Sequence, residues 1–100
     1  MTDFGEIITK SLRLAMLRVL AEPDLGYRAN SSVLHTASGS LGFHVSRDKV
    51  ETELDWLREQ GLIEIEELGR VRIAKIKQRG IDVAKGHATV SGVDRPSPGG

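Results

Sequence analysis

The residue types that most often carry chemistry in proteins are sparse in this chain. It has no cysteine, which excludes disulfide bonds, thiolate catalysis and cysteine-based zinc sites. Its three histidines, His35, His44 and His87, lack the H-x-x-x-H or H-x-x-E spacing of a metal site. There is no G-x-S-x-G, P-loop or dinucleotide fingerprint either. The sequence therefore predicts no catalytic residue, metal site or cofactor, and we expect the protein not to be an enzyme.

Charged side chains are the remaining candidates for function, and they separate by sign along the chain. The whole chain has 14 basic and 14 acidic residues and a formal charge of zero. Residues 46–67 contain eight acidic and three basic residues, a net charge of −5, whereas residues 70–85 contain six basic residues and one acidic residue, a net charge of +5. A basic segment can attract phosphates even in a neutral protein, because recognition depends on where the charges lie.

The helices and strands that position these charges are predicted from helix-capping residues, helix-breaking residues and the spacing of apolar residues. Asp3, with Glu6 three residues later, predicts a first helix to about Leu20. A short extended segment, 27–29, leads to a cap at Asn30 or Ser31 and a second helix that ends near residue 42. The first half of the chain is therefore expected to be mainly helical.

The second half begins with the clearest helix. Ser46 is a good cap, the apolar residues that follow have helical spacing, and Gly61 ends the helix. Apolar and charged residues alternate from 63 to 73 on either side of a turn at 68–69, which predicts a two-stranded hairpin. A fourth short helix is predicted over residues 78–85. We expect a folded domain over 1–86 and a flexible Gly/Pro-rich tail over 87–100.

This order of elements is that of a winged helix-turn-helix: mainly α, with a three-helix core, a small two-stranded β wing and here an extra C-terminal helix. Residues 45–63, which include L-x-x-Q-G-L-I, resemble the segment from third helix to wing in bacterial regulators of the ArsR and MarR kind. Residues 74–84 resemble the segment by which such domains enter a further helix. The resemblance implies that the third helix enters the major groove of DNA.

A second resemblance covers nearly the whole chain. The chain is similar to small proteins encoded by Mu-like phages and prophages in several short runs: 13–15, Asn30, His35, 42–43, the helix that follows Ser46, 55–57 and 92–96. This resemblance implies a phage protein. Because the chain has neither an apolar run long enough to span a membrane nor a secretory signal, we expect it in the cytoplasm of the bacterial host, without a membrane partner.

Two functions fit these observations. The first is binding of double-stranded DNA, with transcriptional regulation as one use of it, through the start of the third helix and the wing. Its candidate residues are Arg47, Lys49, Thr52, Arg70, Arg72 and Lys75. The second is a protein-interaction or assembly module that keeps the fold without reading DNA. The outward face of the third helix, mainly Asp48, Thr52, Asp55 and Glu59, is acidic and would repel a polyanion.

Four further residues are candidates for contact with a protein partner. Leu17 lies among charged residues off the main stripe of the first helix, which indicates either a homodimer interface or a helix covered on several sides by its own domain. Trp56 is either an anchor for a phage or host protein or a ring that covers the edge of the core. Arg95 and Pro96 belong either to a docking peptide or to a disordered end.

Overall fold

The first half of the chain consists of capped helices joined by short connections. The structure, a computed structural model, describes residues 3–97. Helix α1 (Phe4–Leu20) follows Asp3, whose carboxylate accepts a hydrogen bond of 2.8 Å from the backbone N–H of Glu6. This cap satisfies a backbone donor that the first turn leaves unpaired. The predicted start and end of the first helix are confirmed.

The next two helices begin at the caps that the sequence predicts. The side chain of Asn30 accepts from the backbone N–H of Val33 at the start of α2 (Ser31–Ser40). Ser46 does the same for Lys49 at the start of α3 (Arg47–Glu59). A 3-10 turn over Pro23–Leu25 lies between α1 and the first strand.

The sheet has one strand more than the predicted hairpin. Strands β2 (Ile63–Leu68) and β3 (Val71–Ile76) form the hairpin, and β1 (Arg28–Asn30) pairs with the other edge of β3. Both pairings are antiparallel, so the strand order is β1-β3-β2. Within residues 3–97 the protein is a compact α+β fold with four α-helices and a three-stranded sheet.

Alternation along β3 decides which of its residues face the helices. Ala74 and Ile76 are buried, and so is Ile63, which lies opposite Ile76 in β2. Lys75 points to the other face of the sheet, opposite Arg28 of β1. The sheet thus has an inner face toward the helices and an outer face toward solvent.

Helix α1 is covered on more than one side, and this corrects one prediction. It packs against α2, β3 and the last helix, α4 (Gln78–Ala84). Leu17 is fully buried in the core, together with its neighbour Met16. The expectation that Leu17 faces a partner is therefore wrong, because the wide apolar surface of α1 at this point is covered by its own domain.

The C-terminal segment, residues 87–97, has no helix or strand but lies against the helical core. Val93 is 8% exposed and belongs to the core, and Ala88 and Val90 pack against it. The packed core thus extends beyond the domain boundary predicted at residue 86. The last three residues of the predicted tail, 98–100, and the first two of the predicted domain lie outside the described residues.

Two glycines inside helices provide a test of how closely α4 packs. A Cβ atom at Gly80 would collide with the carbonyl oxygen of Leu62 and lie 2.7 Å from Cγ1 of Ile76, whereas one at Gly39 in α2 would meet nothing within 4 Å. We expect Gly80→Ala to lower the free energy of unfolding by about 1 to 3 kcal/mol. We expect Gly39→Ala, the matched control, to raise it by up to about 1 kcal/mol. Urea unfolding checks both; equal effects would contradict the close packing of α4.

Candidate functional site

A buried carboxylate lies at the contact between α1 and α3. Glu53 is only 3% exposed. Its position in α3, three residues after Val50 and four before Leu57, places it on the apolar side of the helix. Sequence reasoning counted Glu53 only as one of the acidic residues of 46–67. The signal that could have found it is a carboxylate at a core position of an otherwise regular apolar pattern.

Two cations hold this carboxylate. Arg13 of α1 donates from Nε to Oε1 of Glu53 at 2.7 Å, and Lys49 donates from Nζ to Oε2 at 2.8 Å. Lys49 also donates to the hydroxyl of Thr9 in α1 at 2.8 Å. Since a buried charge without partners is costly, both oxygens need these donors. The result is a polar bridge between the two helices.

The pKa of Glu53 reflects a competition between burial and its partners. Burial raises the pKa of this carboxyl group, but the hydrogen bonds and positive charges of Lys49 and Arg13 outweigh burial and leave the pKa below its ordinary value. Glu53 is therefore ionised at neutral pH. A carboxylate held in this way stabilises the fold and does not have the raised pKa of a general acid.

Arg13 also joins this bridge to the C-terminal segment. Its Nη1 donates to the carbonyl oxygen of Gly92 at 3.0 Å, and its guanidinium lies 3.6 Å from the centre of the Trp56 ring. Gly92 has a φ of +99°, and a Cβ there would lie 2.7 Å from the Trp56 ring. Only glycine combines this backbone conformation with such a close approach.

Further contacts hold the C-terminal segment on α1. The hydroxyl of Ser11 donates to Oδ2 of Asp94 at 2.6 Å, and the backbone N–H of Asp94 donates to the carbonyl of Lys10 at 3.3 Å. Arg95 is exposed, and Pro96 lies close to Gly86, just after α4. The structure thus places Arg95 and Pro96 along their own domain.

The Trp56 ring is partly buried, with Arg13 of α1 over one face and Gly92 against its edge. This position corresponds to the interpretation in which Trp56 covers the edge of the core beside the first helix. The functional alternative, an anchor for a protein partner, would require the ring to leave these contacts.

Three of the six predicted DNA contacts have partners within the protein. Lys49 belongs to the Glu53 bridge. Arg47 donates to the buried hydroxyl of Ser31 at 2.9 and 3.2 Å. Arg72 points to the inner face of the sheet and forms ion pairs with carboxylates of α3 and β2, namely Asp55, Glu51 and Glu67.

Arg47 is nevertheless exposed, and so are the other three predicted contacts, of which Thr52 lies on a different element from Arg70 and Lys75. Thr52 is on the outward face of α3, whereas Arg70 is in the hairpin turn and Lys75 is on the outer face of the sheet. Lys75 has Arg28 beside it on β1 and Glu64 on β2. We call the exposed cations of β1, the hairpin and the start of α4 the outer basic row: Arg28, Arg70, Lys75, Lys77 and Arg79.

The outward face of α3 remains acidic in the folded protein. Asp48 and Glu59 are exposed, and Asp55 is shared between Arg72 and Arg58, the latter at 3.4 Å. In the part of the chain that the structure describes, no group of three or more histidine, aspartate or glutamate residues could hold a metal ion. No helix among residues 3–97 has the length and apolar character needed to cross a membrane.

Comparison with known proteins shows two close relatives. Over 94 residues the chain is 42% identical to the uncharacterized protein gp26 of Escherichia phage Mu, which covers 94% of this chain and 96% of gp26. The chain belongs to the Mu gp26 family. A protein of Haemophilus influenzae, also described as uncharacterized, is 47% identical over 78 residues, which cover 77% of this chain and 74% of the relative. The predicted relation to Mu-like phage proteins is confirmed.

Two other comparisons gave no match for this gp26 relative. No family model matches the chain, and no solved structure matches it.

The depressed pKa of Glu53 predicts a pH-dependent loss of stability. We expect Glu53→Gln to lower the free energy of unfolding by about 2 kcal/mol at pH 7, because a neutral amide loses the attraction of both cations. A carboxyl group whose pKa is lowered by folding stabilises the fold above its unfolded pKa of about 4.3, and this contribution disappears as the pH falls through the folded pKa. The difference between wild type and variant should therefore shrink below about pH 4.

Denaturant unfolding between pH 3 and pH 8 measures this difference. Glu59→Gln is the matched control, since it removes an exposed carboxylate from the same helix and should change stability by no more than about 0.5 kcal/mol. A difference between wild type and Glu53→Gln that stays constant across this pH range would contradict the assigned role of Glu53.

The close approach of Gly92 to Trp56 predicts a spectroscopic change. We expect Gly92→Ala to lower stability by about 1 to 3 kcal/mol through steric overlap, and to shift Trp56 fluorescence to longer wavelength as the ring becomes wetter. The control is Gly86→Ala, which has the same left-handed backbone, with a φ of +81°, but ordinary contacts of 3.6 Å or more. Trp56 is the only tryptophan, so the emission reports this site alone. Identical spectra for the two variants would be inconsistent with the contact.

Proposed function

We propose that the protein is a winged-helix DNA-binding protein that acts in the cytoplasm of the bacterial host and grips duplex DNA through the outer basic row. The order of helices, with a hairpin after α3, is compatible with the winged-helix arrangement that the resemblance to ArsR and MarR regulators implies. One observation carries the proposal: Lys49 and Arg72 are half-buried and paired with carboxylates of the same chain, whereas the cations of the outer basic row are exposed.

Base reading through α3 is disfavoured by the charges on that helix. In a winged helix this element would lie in the major groove, between two rows of phosphates. Asp48 and Glu59 are exposed there, and Lys49 and Arg72 are engaged by Glu53 and Asp55, which leaves Arg47 as the exposed cation at the start of the helix. Breaking those internal ion pairs to reach phosphates would leave carboxylates without partners close to a polyanion. The third helix is therefore a poor source of affinity.

The outer basic row is better suited to contact phosphates. Arg28 and Lys75 are register neighbours on adjacent strands, so their charges reinforce each other on one face. Lys75 and Arg70 are five residues apart, about 16 Å along an extended strand. Exposed cations spread over such a length can follow a DNA backbone, and contacts of this kind position a protein without specifying sequence.

The salt dependence of DNA binding tests the proposal. We expect the protein to bind a long duplex at about 50 mM salt and to lose affinity steeply by about 200 mM, because binding releases counterions from phosphates. The double variant Arg28→Ala/Lys75→Ala should weaken binding roughly tenfold and reduce the slope of log K against log salt by about 2, since each phosphate contact contributes roughly 0.9.

The double variant Arg47→Ala/Arg58→Ala is the matched control. It removes the same amount of charge from the α3 side, and we expect it to leave the salt slope unchanged. Equal losses of slope in both double variants would point to a diffuse effect of net charge. Failure of the wild type to bind at about 50 mM salt, where phosphate contacts are strongest, would refute the proposal.

A second candidate function, a protein-interaction module, is favoured by one observation. Asp48 and Glu59 on the outward face of α3 are exposed, whereas Lys49 and Arg72 beside this face are paired with carboxylates of the same chain. Such a face is suited to a basic protein surface. An absence of DNA binding at low salt in the folded protein would favour this function over the first.

A further inference from the structure

The side of β2 that faces away from β3 is called here the free edge. We propose that the free edge binds an extended, basic segment of another protein, which adds a fourth strand to the sheet. The proposal does not rest on the proposed DNA-binding function.

The ladder between β2 and β3 shows which backbone groups face the free edge. The N–H of Lys77 donates to the carbonyl of Leu62 at 3.0 Å, and the register of β2 and β3 continues from this pair. Because residues of an antiparallel strand bond alternately to one side and the other, the even-numbered residues of β2 bond to β3. The odd-numbered residues turn their N–H and C=O groups to the free edge. Within residues 3–97 no strand pairs with β2 on that side.

The free edge lacks most of the features by which proteins keep edge strands from pairing. Such features include very short strands, prolines and bulges. Strand β2 has six residues, contains no proline and stays in unbroken register with β3 from Ile63 to Leu68. What protects the edge is charge of one sign, since Glu64, Glu66 and Glu67 are all exposed. Charge of one sign repels only some partners.

These charges disfavour a second copy of the chain as the partner. Antiparallel pairing of two β2 strands about an axis at Ile65 would place Glu64 of each copy opposite Glu66 of the other. A shift of the register by two residues in either direction would place Glu64 or Glu66 opposite itself. Like charges in directly opposite positions destabilise a strand pair, whereas opposite charges stabilise it. The free edge therefore selects a basic strand.

The occupied side of β2 shows the kind of strand that fits. There Lys75 lies opposite Glu64, and the apolar Ala74 lies opposite Ile65. On the free edge the half-buried Ile65 again lies between two glutamates, Glu64 and Glu66. Since successive side chains point to opposite faces, the added strand needs an apolar residue beside Ile65 and a basic residue on each side of it. Main-chain hydrogen bonds then supply affinity, and the alternating side chains supply specificity.

The first test titrates the full chain with a capped peptide of about eight residues, the length of a strand, in which lysine and valine alternate. We expect changes in the NMR spectrum to give a dissociation constant of the order of 100 µM at low salt, since small interfaces give modest affinities. Two peptides are matched controls. One has glutamate in place of lysine, and the other carries N-methyl groups on its valines, which keep every charge but block the ladder. Both should bind at least roughly tenfold more weakly.

Backbone amide exchange shows where the peptide lies. In the free protein, the N–H groups of Glu64 and Glu66 are protected by the ladder with β3, whereas those of Ile65 and Glu67 should exchange quickly. We expect the lysine peptide to slow exchange at Ile65 and Glu67 at least roughly tenfold and to leave Glu64 and Glu66 little changed. Attraction of the peptide to the carboxylates alone would not produce this alternation.

Substitutions at Glu67 separate backbone pairing from charge. Glu67→Pro removes an N–H that faces the free edge, and proline is tolerated at such positions. Glu67→Ala, the matched control, removes the same carboxylate but keeps the N–H. We expect Glu67→Pro to bind the lysine peptide at least roughly fivefold more weakly than Glu67→Ala.

Charge reversal on the free edge provides a test that leaves its backbone intact. Glu66→Lys should weaken binding of the lysine peptide about tenfold, because an attraction becomes a repulsion. Glu22→Lys reverses an exposed carboxylate outside the sheet and should change the affinity less than about twofold.

Each outcome bears on the proposal. Equal binding of the lysine peptide and its N-methylated form would overturn strand addition. Slow exchange at Ile65 and Glu67 before any peptide is added would show that the edge is already covered and would also overturn it. A lack of binding at about 1 mM peptide would overturn the assigned partner. Peptide binding without any DNA binding would leave this proposal standing and refute only the proposed function.

Discussion

The structure depends on one constraint: a carboxylate buried between α1 and α3 must keep both of its cations. Glu53 could not remain charged in that position without Arg13 and Lys49. Because these two basic residues come from different helices, satisfying the carboxylate also fixes the distance and rotation between them. Arg13 then extends the constraint to the last part of the chain, where it meets the Gly92 carbonyl and the Trp56 ring. These polar contacts act together with the apolar core that α1 and α3 share.

This constraint also determines which cations can act at the surface. Lys49 lies at the start of α3 but forms an ion pair with Glu53. Arg72 lies on the hairpin but forms ion pairs with carboxylates of α3. The two-residue period of β3 sends Lys75 to the opposite face from Arg72, beside Arg28. The acidic and basic blocks, which are consecutive in sequence, are thereby partly neutralised on the inner face, while Lys75 and Arg28 stay exposed on the outer face with Glu64 in register beside Lys75.

Most local features could be predicted from the sequence, whereas their long-range partners could not. The caps at Asp3, Asn30 and Ser46 and the alternation of the hairpin determine their elements through contacts a few residues away. The extended segment predicted at 27–29 corresponds to β1, but its pairing with β3 was not predicted, because the partner strand lies more than 40 positions along the chain. Leu17 was misplaced, and Glu53 was overlooked, because helical periodicity does not reveal how many sides of a helix are covered.

The position of Arg13 also has an evolutionary consequence. The Arg13 guanidinium contacts the Glu53 carboxylate, the Gly92 carbonyl oxygen and the Trp56 ring. A side chain at position 92 would overlap with that ring. A change at any one of positions 13, 53, 56 or 92 therefore alters what the other three can tolerate. Substitutions at these four positions are therefore expected to be correlated, even though positions 13 and 92 lie near opposite ends of the chain.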